Sequence, residues 1–369
     1  MKPLRIWLVG TGTVGTWLAG VLGSQRERLA ASYGLDATVV GVASGRGGFV
    51  YDPGGLDLAA LPAAARGGRP AAVGPPHGDG ATPGDGATPG DGRGVGRWPS
   101  TIEGLRATEA DLLVEVSASP AADGEPGVTH MREALRRGIP VVTSNKWPVA
   151  LHGAELAALA RSRGVAFRAE STVMSGTPVL STLAEGLAGA IPVALRGLLN
   201  ATANFILSRM ADGRSYEDAL AEAQRAGLAE RDPAADVEGH DTVAKVMILS
   251  GLVFGRQLRR EQVTCRGITA VTGREIAEAA SAGGRIKHVA TLGFAGPGGA
   301  GSVTARVQPE IVGHDDPLVN VNGTANAVVV EADPVGQVTI TGPGAGPQLA
   351  GQGVLSDVIA VASRRAAGG

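Results

Sequence analysis

The stretch L-R-I-W-L-V-G-T-G-T-V-G, residues 4–15, decides the fold of the N-terminal part of this chain. Its apolar start is typical of a buried strand, and the three glycines that follow have the G-x-G-x-x-G spacing. Residues from Thr16 to Ser24 can form a helix. In such a strand–turn–helix unit the glycines make the turn, admit a pyrophosphate and let the helix pack on the strand. We therefore predict a Rossmann domain that binds a dinucleotide through Gly10, Gly12, Thr13, Val14 and Gly15.

The second predicted strand, Ala37 to Ala43, bears on the choice of dinucleotide. NAD-selective folds usually carry Asp or Glu at the end of this strand, to bind the ribose hydroxyls of the adenosine. This chain has Ser44-Gly45-Arg46 there instead. Because a hydroxyl and a guanidinium suit a 2′-phosphate, we predict that NADP(H) is preferred, with NAD(H) possible. The alternative is a polar loop with an exposed arginine.

Two later strands point to the same crevice. Leu112 to Val116 is followed by Ser117, and Ile139 to Thr143 is followed within three residues by Lys146. Ligands of open α/β sheets bind at the carboxyl ends of the strands, so we expect both Ser117 and Lys146 to lie at the cofactor. Lys146 would otherwise be an exposed loop lysine.

Composition limits the class of protein. The 369 residues carry 33 basic and 35 acidic side chains without a basic cluster, and aromatic residues make up 3%, which argues against nucleic-acid binding. No apolar stretch is long enough to span a membrane or to open a signal peptide. The single cysteine, Cys265, fits a reducing cytoplasm. Residues 66–100 repeat Gly, Asp, Ala, Thr and Pro, so we expect a disordered, mobile insertion.

An acidic stretch, residues 228–241, leads into an apolar helix that carries a lysine. Pro233 is expected to keep its early part out of a helix. Asp241 and Lys245 are four residues apart and share a helix face, and apolar residues surround the lysine in sequence. A desolvated lysine favours its neutral form and can exchange a proton in an alcohol-to-carbonyl reaction. The nearby carboxylates could hold a substrate ammonium. The alternative is a solvated ion pair on an amphipathic helix.

Six blocks of the chain, in the same order, resemble motifs of homoserine dehydrogenases. They cover nearly the whole sequence apart from the insertion, and the fourth reproduces E-x-D-P-x-x-D-x-x-G-x-D-x-x-x-K almost in full. The blocks are V-T-S-N-K-W-P-V-A-L (142–151), E-S-T-V-M-S-G-T-P (170–178), G-L-L-N-A-T-A-N-F-I-L (197–207), residues 230–245, N-G-T-A-N-A (322–327) and G-P-G-A-G (342–346).

The resemblance implies an NAD(P)H-dependent oxidoreductase of threonine, methionine and isoleucine biosynthesis. It would reduce L-aspartate 4-semialdehyde, a small-molecule substrate, to L-homoserine. The roles it implies are Lys245 as proton donor, Lys146 as second essential lysine, Gly344 at the cofactor, Glu230 and Asp241 on the ammonium, and Asp236 and Thr202 in the substrate pocket. It also implies a sodium-type cation on main-chain oxygens of Glu170, Val173, Ser175 and Thr177.

The domain scheme that we expect is α/β. A Rossmann domain covers 1–145, an α+β catalytic and dimerisation domain with a mixed sheet covers 146–341, and residues 342–369 return to the nucleotide domain through a helix at Gly353 to Arg365. We expect a homodimer of the short form, without a C-terminal regulatory domain and without feedback inhibition through one.

Two departures from the family pattern leave alternatives open. Trp147 and Ala201 both replace residues that are usually glycine, and either change could reshape the substrate pocket. One alternative is therefore a related NADP-dependent dehydrogenase that acts on a different amino-acid aldehyde in a specialised pathway. The other is a cofactor-sensing relative without activity, although a sensor would not need Lys245.

Overall fold

The computed structural model describes residues 2–45, 48–61, 96–296 and 301–367. The chain divides into two units, each built on its own β-sheet. Unit 1 is Met1–Val149, Glu155–Ser171 and Pro347–Gly369, and unit 2 is Ala150–Ala154 and Thr172–Gly346. This division differs from the expected domain boundaries, because most of the segment from 146 to 171 belongs to unit 1 and residues 342–346 belong to unit 2. Most of the repetitive insertion, residues 66–95, lies outside the described residues.

The sheet of unit 1 has seven strands in the order β4-β3-β2-β1-β5-β6-β7. The strands β2, β1, β5, β6 and β7 pair in parallel. At one edge of the sheet β3 pairs antiparallel with β2, and β4 pairs antiparallel with β3. The strand order reverses between β1 and β5, which makes their carboxyl ends the ligand-binding crevice of this fold. The strands are β1 (Leu4–Val9), β2 (Ala37–Ser44), β3 (Gly48–Tyr51), β4 (Gly96–Trp98), β5 (Leu112–Glu115), β6 (Val141–Thr143) and β7 (Phe167–Arg168).

Helices cover both faces of this sheet, which explains why β1 is apolar except for Arg5. Ile6 and Leu8 are buried in a core on one face, and Trp7 and Val9 in a core on the other. The C-terminal helix (Pro347–Ala367) buries its apolar residues in the first of these cores. The other helices are α1 (Thr13–Ser24), α2 (Arg26–Tyr33), α3 (Thr101–Ala107), α4 (Gly127–Arg136) and α5 (Lys146–Ser162), with a 3-10 turn at Leu58–Ala60.

Unit 2 contains a six-stranded mixed sheet in the order β13-β12-β8-β10-β11-β9. All pairs are antiparallel except β11 with β9. The α/β class with a second, mixed-sheet domain is therefore confirmed. The strands are β8 (Ile191–Leu198), β9 (Val263–Cys265), β10 (Arg285–Phe294), β11 (Val303–Val312), β12 (Ala325–Asp333) and β13 (Gly336–Pro343).

Short polar side chains begin several helices of this part of the chain. Asn200, Ser215 and Thr272 each accept a hydrogen bond from a backbone N–H of the first turn that follows. The helices are α6 (Ser171–Met174), α7 (Ala201–Ala211), α8 (Tyr216–Arg225), α9 (Ala234–Val237), α10 (His240–Leu252) and α11 (Gly273–Ser281), with a π turn at Thr182–Gly186 and a 3-10 turn at Arg260–Gln262.

One local expectation was wrong. Pro233 does not prevent helix formation in the acidic stretch, because α9 begins directly after it. Proline is tolerated at the start of a helix, where its missing N–H would have no partner in the helix. Among the described helices, none combines the length and apolar character needed to cross a membrane.

Candidate active site

The three glycines after β1 have three different surroundings. Gly10 has φ +105°, and a Cβ built on it would lie 2.5 Å from the backbone nitrogen of Ser117. A Cβ on Gly15 would lie 2.0 Å from the carbonyl oxygen of Gly10, so only glycine lets α1 pack this closely on the turn. A Cβ on Gly12 would meet no atom within 4 Å. The first and third glycines therefore shape the turn, and the second leaves its backbone open to a ligand.

Thr13 and Val14 form the first turn of α1, where backbone N–H groups point away from the helix. Such a helix start suits a phosphate. Ser44 ends β2 as expected, and its buried hydroxyl has no hydrogen-bond partner among the described residues. Arg46 lies outside the described residues.

A buried carboxylate that we did not predict organises the ends of β5 and β6. Glu115 is fully buried, and burial raises its pKa above the usual value of a glutamate. It accepts hydrogen bonds from the hydroxyl and backbone N–H of Ser117 and, at 2.8 Å, from the side-chain amide of Asn145. Asn145 directly precedes the half-buried Lys146, the first residue of α5. Glu115 therefore holds in place the two segments that carry the predicted residues Ser117 and Lys146.

The ion pair predicted on α10 is not a solvated surface pair. Lys245 Nζ lies 2.9 Å from Asp241 Oδ2, and the two side chains are only 11% and 14% exposed. The ammonium also donates to the carbonyl oxygen of Leu199, at 2.5 Å. The residues around Lys245 on α10 are buried and mostly apolar. The structure thus supports the partly desolvated lysine and excludes the solvated alternative.

Asn200 links the Lys245–Asp241 pair to Asp236, and the four residues form one cluster. The sequence had assigned no role to Asn200. Its side-chain nitrogen donates to Asp236 at 2.7 Å and to Asp241 at 3.1 Å, while its oxygen accepts from the Ala203 N–H that opens α7. Carboxylates only accept hydrogen bonds, so this amide orientation is the one that satisfies all three contacts. Asparagine is a preferred N-cap residue, so the signal that could have found Asn200 is its place directly before the apolar residues of α7.

The other predicted substrate residues lie at different distances from this cluster. Asp236 joins it through Asn200. Thr202 is buried, and its hydroxyl donates to the Leu228 carbonyl at 2.9 Å, which ties α7 to the start of the acidic stretch. Glu230 is exposed, and its backbone carbonyl accepts from the side chain of Gln224. The structure therefore brings together Asp236, Asp241 and Lys245, and it ties Thr202 to the start of the acidic stretch and the backbone of Glu230 to α8.

The segment predicted to supply cation ligands has an unusual backbone. Ser175 has φ +54°, a left-handed conformation that is rare for residues with a side chain. It follows Val173 and the end of α6, and Thr177 bonds back to the carbonyl of Met174. Among the described residues, no group of His, Cys, Asp or Glu has metal-binding geometry. Any cation at this turn would therefore rely on carbonyl oxygens.

Gly344, predicted at the cofactor, is buried in unit 2. A Cβ on it would lie 2.4 Å from Asn326 Oδ1 and 2.9 Å from the Cβ of Ala201. Only glycine fits here, and the methyl group of Ala201 faces it.

The chain is similar throughout its length to known proteins of one family. Residues 178–359 match the family model described as homoserine dehydrogenase. An NAD(+)-dependent homoserine dehydrogenase of Pseudomonas canavaninivorans is 37% identical over 97% of this chain and 96% of its own length. A homoserine dehydrogenase structure from Thiobacillus denitrificans superposes with a TM-score of 0.77 at 32% identity, covering 100% of this chain and 75% of that one.

A hyperthermophilic archaeal homoserine dehydrogenase in complex with NADPH has a TM-score of 0.75 at 28% identity, over 98% of each chain. The matches cover both units, and the resemblance drawn from the six sequence blocks is confirmed. The chain therefore belongs to the homoserine dehydrogenase family of oxidoreductases.

Proposed function

We propose that this protein reduces the aldehyde of L-aspartate 4-semialdehyde to the alcohol of L-homoserine, and catalyses the reverse reaction, through the cluster of Lys245, Asp241, Asn200 and Asp236. The observation that carries the proposal is the largely buried Lys245–Asp241 pair, which sits among apolar residues of α10. A lysine held in this way can act as an acid–base group, whereas an ion pair that only stabilised the helix surface would be solvated.

Lys245 is the proton donor. Hydride addition to the aldehyde carbon places negative charge on the carbonyl oxygen, and an ammonium beside that oxygen both stabilises the charge and supplies the proton. Asp241 holds the ammonium at 2.9 Å and the Leu199 carbonyl holds it at 2.5 Å, so its direction is defined before a substrate arrives. In the reverse direction the neutral amine takes the proton from the alcohol.

The carboxylates of the acidic stretch recognise the amino group of the substrate. Asp241 and the exposed Glu230 bind the ammonium, and Asp236 and Thr202 complete the pocket. Two neighbouring carboxylates repel each other, and Asn200 offsets this by donating one N–H to each of Asp236 and Asp241. The paired negative charge is thereby kept available for a cationic substrate group.

Unit 1 binds the dinucleotide. The open backbone at Gly12 and the first turn of α1 at Thr13 and Val14 suit a pyrophosphate. Ser117, held by Glu115, lies at the end of β5 where this fold binds its ligand. NADPH, when bound, supplies the hydride. Lys146, at the start of α5, is the second essential lysine, and Gly344 contacts the cofactor; the family resemblance supports both assignments.

NADPH is the preferred cofactor, because Ser44 and Arg46 stand where an NAD-selective fold would carry an acid. The buried hydroxyl of Ser44 has no hydrogen-bond partner among the described residues, so it would lose no bond by turning toward a phosphate oxygen. We expect Arg46→Ala to lower kcat/KM for NADPH by roughly tenfold to a hundredfold, since a charge-assisted contact contributes on the order of 1.5–3 kcal/mol, and to leave NADH almost unaffected. The control is Arg28→Ala, which removes an exposed arginine of α2. An unchanged NADPH-to-NADH ratio in Arg46→Ala would contradict this preference.

A sodium ion binds the segment that contains α6 and the turn after it, through main-chain carbonyls of Glu170, Val173, Ser175 and Thr177. The left-handed backbone of Ser175 supports this, because it redirects successive carbonyl groups. A bound ion stabilises the folded state by mass action. We therefore expect a higher melting temperature in sodium chloride than in choline chloride at equal ionic strength, and equal values would remove the site from the proposal.

The protein forms a homodimer, as the family resemblance implies. The β13 strand is one edge of the sheet in unit 2, and the isolated edge of a sheet is a common place for contacts between chains. Light scattering combined with size-exclusion chromatography measures the mass directly, and a monomer at micromolar concentration would count against this part of the proposal.

The decisive experiment follows the loss of NADPH absorbance with L-aspartate 4-semialdehyde and, in parallel, with other amino-acid aldehydes. We expect turnover to be fastest with L-aspartate 4-semialdehyde. Faster turnover with another aldehyde would instead favour a related dehydrogenase, and attention would move to Trp147 and Ala201. No turnover of any aldehyde by protein that binds NADPH would refute the proposed activity.

A further inference from the structure

A cavity of unit 2 lies toward the C-terminal end of α7. Its volume is about 270 Å³, and it is lined by Phe205, Ser208, Arg209, Asp212, Arg285, Asn322 and Gly323. Asn200, which belongs to the Lys245 cluster, caps the opposite end of the same helix. The cavity shares no residue with that cluster, so the proposed reaction does not account for it.

A buried lysine lies against one wall of this cavity. Lys287 is only 2% exposed, and its Nζ donates to the Val321 carbonyl at 2.5 Å and to Asn322 Oδ1 at 2.8 Å. A third bond goes to Asn204 Oδ1, at 3.2 Å. All three acceptors are uncharged, and no carboxylate among the described residues forms an ion pair with Lys287. A buried ammonium without a counter-ion is energetically costly.

A second cation converges on the same amide. Arg285 donates to Asn322 Oδ1 at 3.5 Å, so the oxygen that accepts from Lys287 also faces a guanidinium. Burial and, to a smaller extent, the positive charge of Arg285 lower the pKa of Lys287 to about 8. The two groups therefore repel each other across one neutral acceptor.

The other charges of the cavity do not neutralise this pair. Arg209 lies over the ring of Phe205 and is itself paired, with Glu222 at 2.9 Å and Asp212 at 3.4 Å. Both acids are thus engaged by Arg209, and the side chain of Asp212 is 61% exposed, where water screens its charge. The wall formed by Arg285 and Asn322, with the ammonium of Lys287 bonded to Asn322 behind it, keeps an excess of positive charge.

We propose that this cavity binds the oxyanion group, carboxylate or phosphate, of a small metabolite, with Arg285 as the direct contact. A planar guanidinium binds such groups through two parallel hydrogen bonds. Asn322 offers its amide beside the arginine, and the bound anion supplies the counter-charge that Lys287 lacks. The cavity volume fits an ion or a metabolite of a few carbon atoms, and the site does not depend on the proposed reaction.

The test is titration calorimetry of the full chain with inorganic phosphate and, in a second arm, with succinate, at constant ionic strength. Saturating NADP+ is present throughout, so that phosphate cannot bind at the dinucleotide turn around Gly12 and contribute to the measured heat. We compare the wild type with Arg285→Gln, Lys287→Met and Arg274→Gln. The last is a matched control, because Arg274 is an arginine of α11 that is 84% exposed and lies outside the cavity lining.

We expect saturable binding of at least one anion to the wild type and to Arg274→Gln. Binding should weaken about tenfold or more in Arg285→Gln, as expected for the loss of a charge-assisted contact. Saturable binding of phosphate but not of succinate would identify a phosphorylated ligand. Binding of succinate but not of phosphate would identify a carboxylate ligand. Absence of saturable binding in both arms, or equal affinity in Arg285→Gln, overturns the proposal. Lys287→Met should also bind the anion more weakly. If this variant does not fold, Arg285→Gln still decides the outcome, because Arg285 is exposed and its replacement should not affect folding.

Discussion

Replacing Lys245 with methionine is expected to lower kcat by roughly a hundredfold to ten-thousandfold, which is the usual contribution of a positioned acid–base group. Methionine keeps most of the buried volume but removes the ammonium that Asp241 and the Leu199 carbonyl direct. The measurement is steady-state turnover of L-aspartate 4-semialdehyde with NADPH. Binding of NADPH, followed by its fluorescence, should stay close to that of the wild type, because the nucleotide turn lies in unit 1.

Lys287→Met is the matched control for this variant. It removes another buried lysine of unit 2, one that contacts Asn204, Val321 and Asn322 rather than the Asp241 cluster. We expect it to keep most of its kcat even if its melting temperature falls. If both lysine variants lost activity in proportion to stability, the role of Lys245 would be structural. Full activity in a folded Lys245→Met protein would rule it out as the proton donor.

The second large effect is expected at Asn200. Asn200→Ser keeps an oxygen that can cap α7 but loses the two N–H donors to Asp236 and Asp241. Hydrogen bonds to charged groups contribute on the order of 1.5–3 kcal/mol, so we expect kcat/KM to fall about tenfold to a hundredfold. The melting temperature should change little. Steady-state kinetics and thermal unfolding together separate these two effects.

Two further variants define the role of Asn200. Asn200→Asp also keeps the cap but places a third carboxylate beside Asp236 and Asp241, so we expect a larger loss of kcat/KM than in Asn200→Ser. Ser215→Ala is the control for capping alone, since Ser215 caps α8 and is not part of the cluster. It should lose about 1 kcal/mol of stability and keep its kcat/KM. Equal activity of wild type and Asn200→Ser would show that the amide serves only as a cap.

Local sequence signals were sufficient to predict much of the fold of unit 1. The apolar run at Ile6–Val9, the glycine spacing and the apolar strands ending at Ser44 and Glu115 each depend on a few adjacent residues. A buried parallel strand needs apolar side chains on both faces, and a tight phosphate turn needs glycine, so these patterns survive in any such fold. Helix ends were less predictable. α1 begins three residues before the expected Thr16, and the C-terminal helix begins six residues before Gly353.

The pairing of Asp241 with Lys245 was also readable from the sequence, because residues four apart on a helix are neighbours. The sequence did not show whether that pair is solvated, because apolar neighbours in sequence occur on exposed helices as well. Burial of α10 in unit 2 decides it, and burial depends on elements from distant parts of the chain.

By itself, therefore, the sequence determined the nucleotide-binding fold, the family and the lysine that we propose as proton donor, because each is encoded in short-range spacing or in ordered motifs. Only the tertiary structure decided which side chains support them. Asn200 reaches Asp236 and Asp241 across 36 and 41 residues, and Glu115 reaches Asn145 across 30. Such contacts form only when strands and helices from separate segments pack together, and no local pattern specifies their partners. The same holds for Lys287 and Arg285, whose shared acceptor, Asn322, lies 35 and 37 residues away.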